Sequence, residues 1–339
     1  MDEKRKYRGR RRKKSGGGKG VVAFLLIAVS VMCVYVFVNG YENSKDHRDQ
    51  SNQPQPVSSA VNDRYKVSPS SGASASAQAK SVNSAAVTPT SGVPKLSMPN
   101  PISINVSEMD NTHFLELVNL DHPVDAEPDG NEIISAWPTV PVITQDVTIN
   151  KTALDAVNQI LTAARAANVG SFYISSGYRD YADQKQTYNE AADKSYVQIP
   201  GHSEHETGLA ADIMAVGVSQ DALAASKQGQ WLAANSWKYG LILRYPQGKQ
   251  DVTGISYESW HFRYVGQPHA YYCYKNNLCL EEYIQFLKDN GGYEITFDNI
   301  KYSVFYETPK DGRIEVPEDL SYEVSDDNTG GYIVTAWSE

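Results

Sequence analysis

Two short, well-separated fragments constrain this chain more than any other feature. The first, Gly201-His-Ser-Glu-His-Glu-Thr-Gly-Leu-Ala-Ala-Asp-Ile213, carries His205 and Asp212 with Gly208 and small residues between them. The second, Tyr257-Glu-Ser-Trp-His-Phe-Arg263, carries Glu258 and His261. Together they supply two imidazoles, one carboxylate to ligate and one to spare. That is the donor set of a catalytic zinc site, which uses three protein ligands, an open position for water and a base beside it. Any fold for this chain must bring the two fragments together around one cation, Zn2+.

The flanking sequence says where such a site would work. Residues 1–19 carry a net charge of +8, whereas the whole chain carries −9. A basic head on an acidic body excludes the usual nucleic-acid binder, whose basic patch lies on the folded domain, and fits the cytoplasmic flank of a membrane span. Val21 to Val38 follows without a charge, and at roughly 27 Å as a helix it approaches the bilayer core of about 30 Å. The run is long for a signal peptide and no Ala-x-Ala site follows it, so an uncleaved anchor is expected. The predicted order is a basic cytoplasmic tail (1–19), a transmembrane helix (20–39) and a disordered spacer (40–98). The spacer is rich in Ser, Ala, Asn, Gln and Pro and cannot bury enough apolar surface to offset ordering entropy. The N-terminus is then cytoplasmic and the remainder extracellular, tethered to the cell membrane by a single pass.

Order is expected over 99–290. Leu115–Asn119 reads as a short strand. Leu154, Val157, Leu161 and Ala164 recur at helical spacing over 149–168, with Gly170 just beyond. Phe172–Ser176 reads as a strand, and Asp180 as the N-cap of a helix through Gln184 and Tyr188. His205 falls in a turn, Leu209–Met214 in a strand, and Trp231–Tyr239 in a helix closed by Gly240. Leu241–Arg244 is another strand. On the strand around Trp260–Val265, His261 and Arg263 point one way and Trp260, Phe262 and Tyr264 the other. Glu258, three residues before His261, must lie in the preceding turn to share its site. Helices follow within Pro268–Leu287. From 291 to 339 short strands separated by Asp-Gly and Gly-Gly turns form a β-rich appendage, expected to pack on the catalytic domain. Cys273 and Cys279 permit either a disulfide or two buried thiols. His113, His122 and His269 carry no motif and read as surface residues.

The motifs make the likeness specific. Ser203-Glu-His205-Glu-Thr-Gly208-Leu-Ala210-Ala-Asp212, Glu258-Ser-Trp-His261 and Ser176-Gly-Tyr-Arg179 resemble, in the same order, the three signatures of the zinc D,D-peptidases of the VanY and VanX kind. The resemblance implies an α+β domain of the hedgehog/D,D-peptidase type, with a small antiparallel sheet, packed helices and zinc at the sheet's open edge. It implies His205, Asp212 and His261 as zinc ligands, Glu258 as general base, and Arg179 as the cation that stabilises the scissile carbonyl oxygen. It suggests Gln184, Ser203 and Tyr178 as substrate-binding residues. The implied partner is a peptidoglycan peptide ending in D-Ala, and the implied reaction removes that residue. Such trimming deletes the end that glycopeptide antibiotics bind. The competing readings are an L,D-carboxypeptidase that trims tetrapeptide stems and a non-catalytic zinc-containing wall-binding module.

Overall fold

The computed structural model describes residues 96–125 and 127–338. The basic tail, the apolar run and nearly all of the spacer lie outside them. Among the described residues no helix is long and apolar enough to cross a membrane.

The helical pattern after Asn150 is realised as α1 (Lys151–Ala166), capped by the Asn150 side chain accepting from the Thr152 amide. Its face of Leu154, Val157, Ile160, Leu161 and Ala164 is buried against a four-stranded antiparallel sheet. That sheet has the order β4 (Phe172–Ser176), β5 (Ala210–Ala215), β7 (His261–Tyr264), β6 (Leu241–Leu243). Phe172, Ile174, Ala211, Ile213 and Phe262 complete this core. The other face of β5 and β7 carries Asp212, His261 and Arg263, as strand alternation requires. Two more helices pack nearby, α2 (Tyr181–Glu190), capped by Asp180, and α3 (Lys227–Asn235). A two-stranded ribbon, β2 (Ile133–Ser135) with β3 (Thr148–Asn150), leads into α1.

Close approach explains two glycines. A Cβ on Gly177, just after β4, would lie 2.2 Å from the Thr148 carbonyl oxygen. Gly208 ends a 3-10 turn, Glu204–Thr207, in the left-handed region, and a Cβ there would meet Ile133 Cδ1 at 2.4 Å. His205 therefore sits in a capped helical turn: Ser203 and Glu206 form a reciprocal capping box around it.

The C-terminal half of the fold is built from α4 (His269–Asn276), α5 (Leu280–Asn290) and a second antiparallel sheet. Its order is β11 (Ser321–Asp326), β12 (Tyr332–Trp337), β9 (Ile300–Glu307), β8 (Gly292–Phe297). Val304, Tyr306 and Ile333 from that sheet share a core with Leu280, Tyr283, Ile284 and Leu287 of α5 and with Leu115 and Leu117. β10 (Arg313–Pro317) pairs with β1 (Pro101–Asn105), so the first described strand is stitched to the C-terminal part of the chain.

Several expectations need correction. Leu115–Asn119 is not a strand. Its backbone is engaged elsewhere: the Leu117 amide donates to Asp327 O, and Phe114 O and Glu116 O accept from Arg263. β1 and β11 had no clear alternation to announce them. Of the two states left open for Cys273 and Cys279, the structure has free, buried thiols. His269 is not at the surface; it is 1% exposed, bonded to Tyr283 Oη through Nδ1 and to Thr335 Oγ1 through Nε2. Finally, Asp212 and His261 lie on the two central strands of the first sheet, not at its open edge.

Candidate metal centre

Strand register assembles the site. Ser176 of β4 pairs with Asp212 of β5, and Asp212 pairs with His261 of β7. A register shift between Ile174 and Ser176 re-aims the end of β4, as bulges do beside functional sites. The loop that follows brings Arg179 beside the 3-10 turn, where its amide donates to His205 O at 3.2 Å. Three adjacent strands and one capped turn thus converge on a single point.

There, His205 Nε2 lies 3.5 Å from Asp212 Oδ1, and His261 Nδ1 lies 3.1 Å from the same oxygen. The ligand-capable atoms of His205, Asp212 and His261 all fall within 4.8 Å of one another. The opposite ring nitrogens are already engaged. His205 Nδ1 donates to Gly177 O at 2.6 Å, and His261 Nε2 lies 3.3 Å from Glu204 Oε2. Each imidazole therefore turns its other nitrogen toward Asp212. Two histidines and one carboxylate with paired outer nitrogens fit a divalent cation such as zinc.

Electrostatics reinforce the geometry. Burial, aided by the Arg179 charge, pushes His205 down to about 4 and keeps it neutral. Burial works against ionising Asp212, yet His205 and His261 hold its carboxyl well below the usual range. Burial also opposes charge on His261, but bonds to Asp212 and Glu204 hold it up to about 9. A buried imidazole flanked by the Asp212 and Glu204 carboxylates marks this as a place that favours positive charge.

Glu258 Oε2 lies 3.7 Å from His261 Nδ1, at the end of the loop before β7 as predicted. Burial pushes it up to about 8, with the Asp212 charge adding to the shift and His261 opposing it. Arg179 is fixed by two side-chain bonds: Nη1 to Ser176 Oγ and Nε to Gln184 Oε1, each 2.8 Å. A cavity of about 190 Å³ opens over the cluster, lined by Arg179, Ser203, His205, Asp212, Glu258 and His261. Tyr196 and Trp260, whose ring centroids are 6.1 Å apart, also line it. A larger cavity of about 560 Å³ lies between β1 and β11 and has no histidine in its wall.

A family model described as D-alanyl-D-alanine carboxypeptidase, VanY, matches residues 146–267. A D-alanyl-D-alanine carboxypeptidase of Enterococcus faecium is 36% identical over 230 residues, covering 66% of this chain and 75% of its own. This chain belongs to the VanY family. A second relative, the bifunctional D-Ala-D-Ala dipeptidase and D-Ala-D-Ala carboxypeptidase VanXYC of Enterococcus gallinarum, is 32% identical over 185 residues, covering 51% of this chain and 94% of its own. The solved structure of VanXYg, a vancomycin-resistance D,D-dipeptidase in complex with a D-Ala-D-Ala phosphinate analogue, has a TM-score of 0.59 at 28% identity. It covers 71% of this chain and 100% of its own.

Within this VanY-family site the three suggested substrate contacts have different places. Ser203 lines the cavity while capping the 3-10 turn. Gln184 is fully buried beneath Arg179; it accepts from Arg179 and donates to Gln198 O at 2.7 Å, so both ends of its amide are used. Tyr178 is half-buried and is not among the cavity's walls. Three residues in and behind the site were not singled out in the sequence: Glu204, Arg244 and Tyr245. Tyr245 lines the cavity with its ring 4.8 Å from that of His261. Arg263 had been placed on the His261 face by strand alternation, but its partner Glu204, hidden in a turn, offered no periodic signal.

Proposed function

We propose that this chain is a zinc-dependent D,D-carboxypeptidase that removes the C-terminal D-Ala from peptidoglycan stem peptides or their precursors. The reading rests on one observation: in a VanY-family chain, His205 Nε2, Asp212 Oδ1 and His261 Nδ1 converge under a cavity that also holds Glu258 and Arg179. Zinc held by those three residues supplies a Lewis acid and a water whose pKa falls to about 7.

Glu258 takes a proton from the attacking water as it adds to the scissile carbonyl. The same carboxyl then gives that proton to the amine of the departing D-Ala. Arg179, held from both sides by Ser176 and Gln184, presents its guanidinium to the carbonyl oxygen as negative charge builds there. A fixed donor of this kind acts without reorganisation in a water-poor site. Ser203, on the cavity wall, is placed to contact the peptide, while Gln184 acts through Arg179.

The basic tail, apolar run and spacer support a catalytic unit tethered outside the cell membrane, with the spacer setting its reach. Removing the terminal D-Ala from a stem deletes the D-Ala-D-Ala end bound by glycopeptide antibiotics, so a contribution to resistance follows from the same reaction. The test is release of free D-Ala by the purified, zinc-loaded chain from pentapeptide and tetrapeptide stems. Cleavage of the pentapeptide is expected. Cleavage of the tetrapeptide alone would replace this reading with L,D-carboxypeptidase activity.

A further inference from the structure

We propose that Glu204 is a positioning residue of the metal centre: its carboxylate takes the Nε2–H of His261 and so keeps Nδ1 of that ring turned toward Asp212 and His205. The inference rests on the metal reading above. An imidazole has two nitrogens, and the bond made by one decides which lone pair the other offers. Here His261 Nδ1 is 3.1 Å from Asp212 Oδ1, while Nε2 is 3.3 Å from Glu204 Oε2, with both side chains buried.

The two oxygens of Glu204 divide their work. Oε1 accepts from both Arg244 Nε at 2.6 Å and Arg263 Nη1 at 2.9 Å. Oε2 is left to His261. A carboxylate present only to neutralise an arginine would offer both oxygens to one fork. Glu281 does this with Arg244, at 2.7 and 2.8 Å. Glu204 instead concentrates both guanidinium bonds on one oxygen, and that leaves its second oxygen on the imidazole.

Glu204 is also held rigidly. Arg244 and Arg263 are both fully buried. Arg244 runs on to Glu281 of α5, and Arg263 Nη2 donates to Phe114 O and Glu116 O at 3.2 and 3.0 Å. Glu204 is thereby braced by Arg244, just after β6, and by Arg263 of β7, whose own partners lie in α5 and in the irregular segment around 114–116. The arrangement also explains the neighbouring residues of the first motif. His205 offers a ligand atom, and Glu204, one residue earlier in the same 3-10 turn, steadies the ligand from the distant second motif.

The test is made on the full chain loaded with zinc. Nitrogen-15 NMR of the unmutated protein is expected to show His261 metal-bound through Nδ1, with a retained, slowly exchanging Nε2–H. Glu204→Gln is expected to weaken zinc affinity roughly 10–100-fold, measured by competition with a chelator. Glu281→Gln removes a partner of Arg244 without touching His261; it should lower thermal stability and leave zinc affinity within twofold. Metal binding through His261 Nε2, or E204Q affinity equal to that of the unmutated chain, or an equal loss in E281Q, would overturn the proposal. Should E204Q fail to fold, the NMR assignment of the unmutated protein decides alone. Zinc that binds without His261, or does not bind, would refute the metal reading itself and this proposal with it.

Discussion

Asp212 on β5 and His261 on β7 are direct cross-strand partners, and Asp212 Oδ1 lies 3.1 Å from His261 Nδ1. The site is therefore written into the register of two central strands. A slip of one residue would turn His261 to the opposite face, where Phe262 packs in the core. Asp212→Ala removes a ligand atom and the charge that faces both histidines. Zinc should be lost from the purified protein, and D-Ala release should fall by roughly three orders of magnitude, since such an ion is worth several kcal/mol to the reaction. Metal analysis beside a turnover assay checks both. Stripping zinc with a chelator should have the same effect and be reversed by adding it back.

Glu258 has a separable role. It contacts the cluster only at 3.7 Å from His261, so Glu258→Ala should leave zinc content unchanged. General acid–base catalysis is worth about 10²–10⁴-fold, and kcat should drop within that range. A variant with full zinc content and undiminished kcat would remove Glu258 from the mechanism.

Arg179 and Gln184 should fail differently. Arg179→Ala deletes the donor aimed at the carbonyl oxygen, and kcat should fall by about 10²–10³-fold. Gln184→Met keeps the guanidinium but removes its Nε partner and the bond to Gln198 O. A smaller drop in kcat is expected, with KM nearly unchanged, because Gln184 sits behind Arg179 and not on the cavity wall. A rise in KM at constant kcat would instead make Gln184 a direct substrate contact.

The C-terminal strands are integral to the folded unit. Val304, Tyr306 and Ile333 share a core with α5 and with Leu115 and Leu117, and β10 holds β1. Burying each such side chain contributes about 1.5–3 kcal/mol, and truncation would also expose the matching face of α5. Their loss is comparable with a net stability of about 5–15 kcal/mol. A chain ended after residue 290 should be insoluble or unfolded by circular dichroism; a soluble, active fragment would refute this.

The difference between what the sequence disclosed and what it hid has a physical basis. α1, α5 and β7 carry periodic apolar faces, so their type was legible. His205, Asp212, Glu258 and His261 were legible as a set because metal chemistry restricts residue type and spacing. Segment 115–119 was misread because its apolar residues pack, as a strand's would, while Arg263 and Asp327 take the backbone bonds a strand would use. Glu204 and Arg244 were missed because buried charge depends on partners distant in sequence. His269 was misplaced for the same reason: a lone histidine looks polar until Tyr283 and Thr335, brought from two other elements, occupy both ring nitrogens.

That buried histidine gives a pH prediction away from the metal centre. Burial holds His269 down to about 3 in the folded protein, against about 6.5 in an unfolded chain. Between those values the unfolded chain binds a proton that the folded one does not. Stability from this residue is therefore intact above pH 6.5 and declines as pH falls toward 3, by up to about 1.4 kcal/mol per unit. Other groups titrate in the same window, so the contribution must be isolated by difference. His269→Gln abolishes the titration and keeps a polar side chain between Tyr283 and Thr335. Urea unfolding at pH 7.5, 6 and 5 should find the variant less stable at the highest pH, with the gap closing by about 1 kcal/mol between pH 6 and 5. A gap that stays constant across that range would mean that His269 is protonated in the folded protein, and that the seam joining α4, α5 and β12 tolerates its charge.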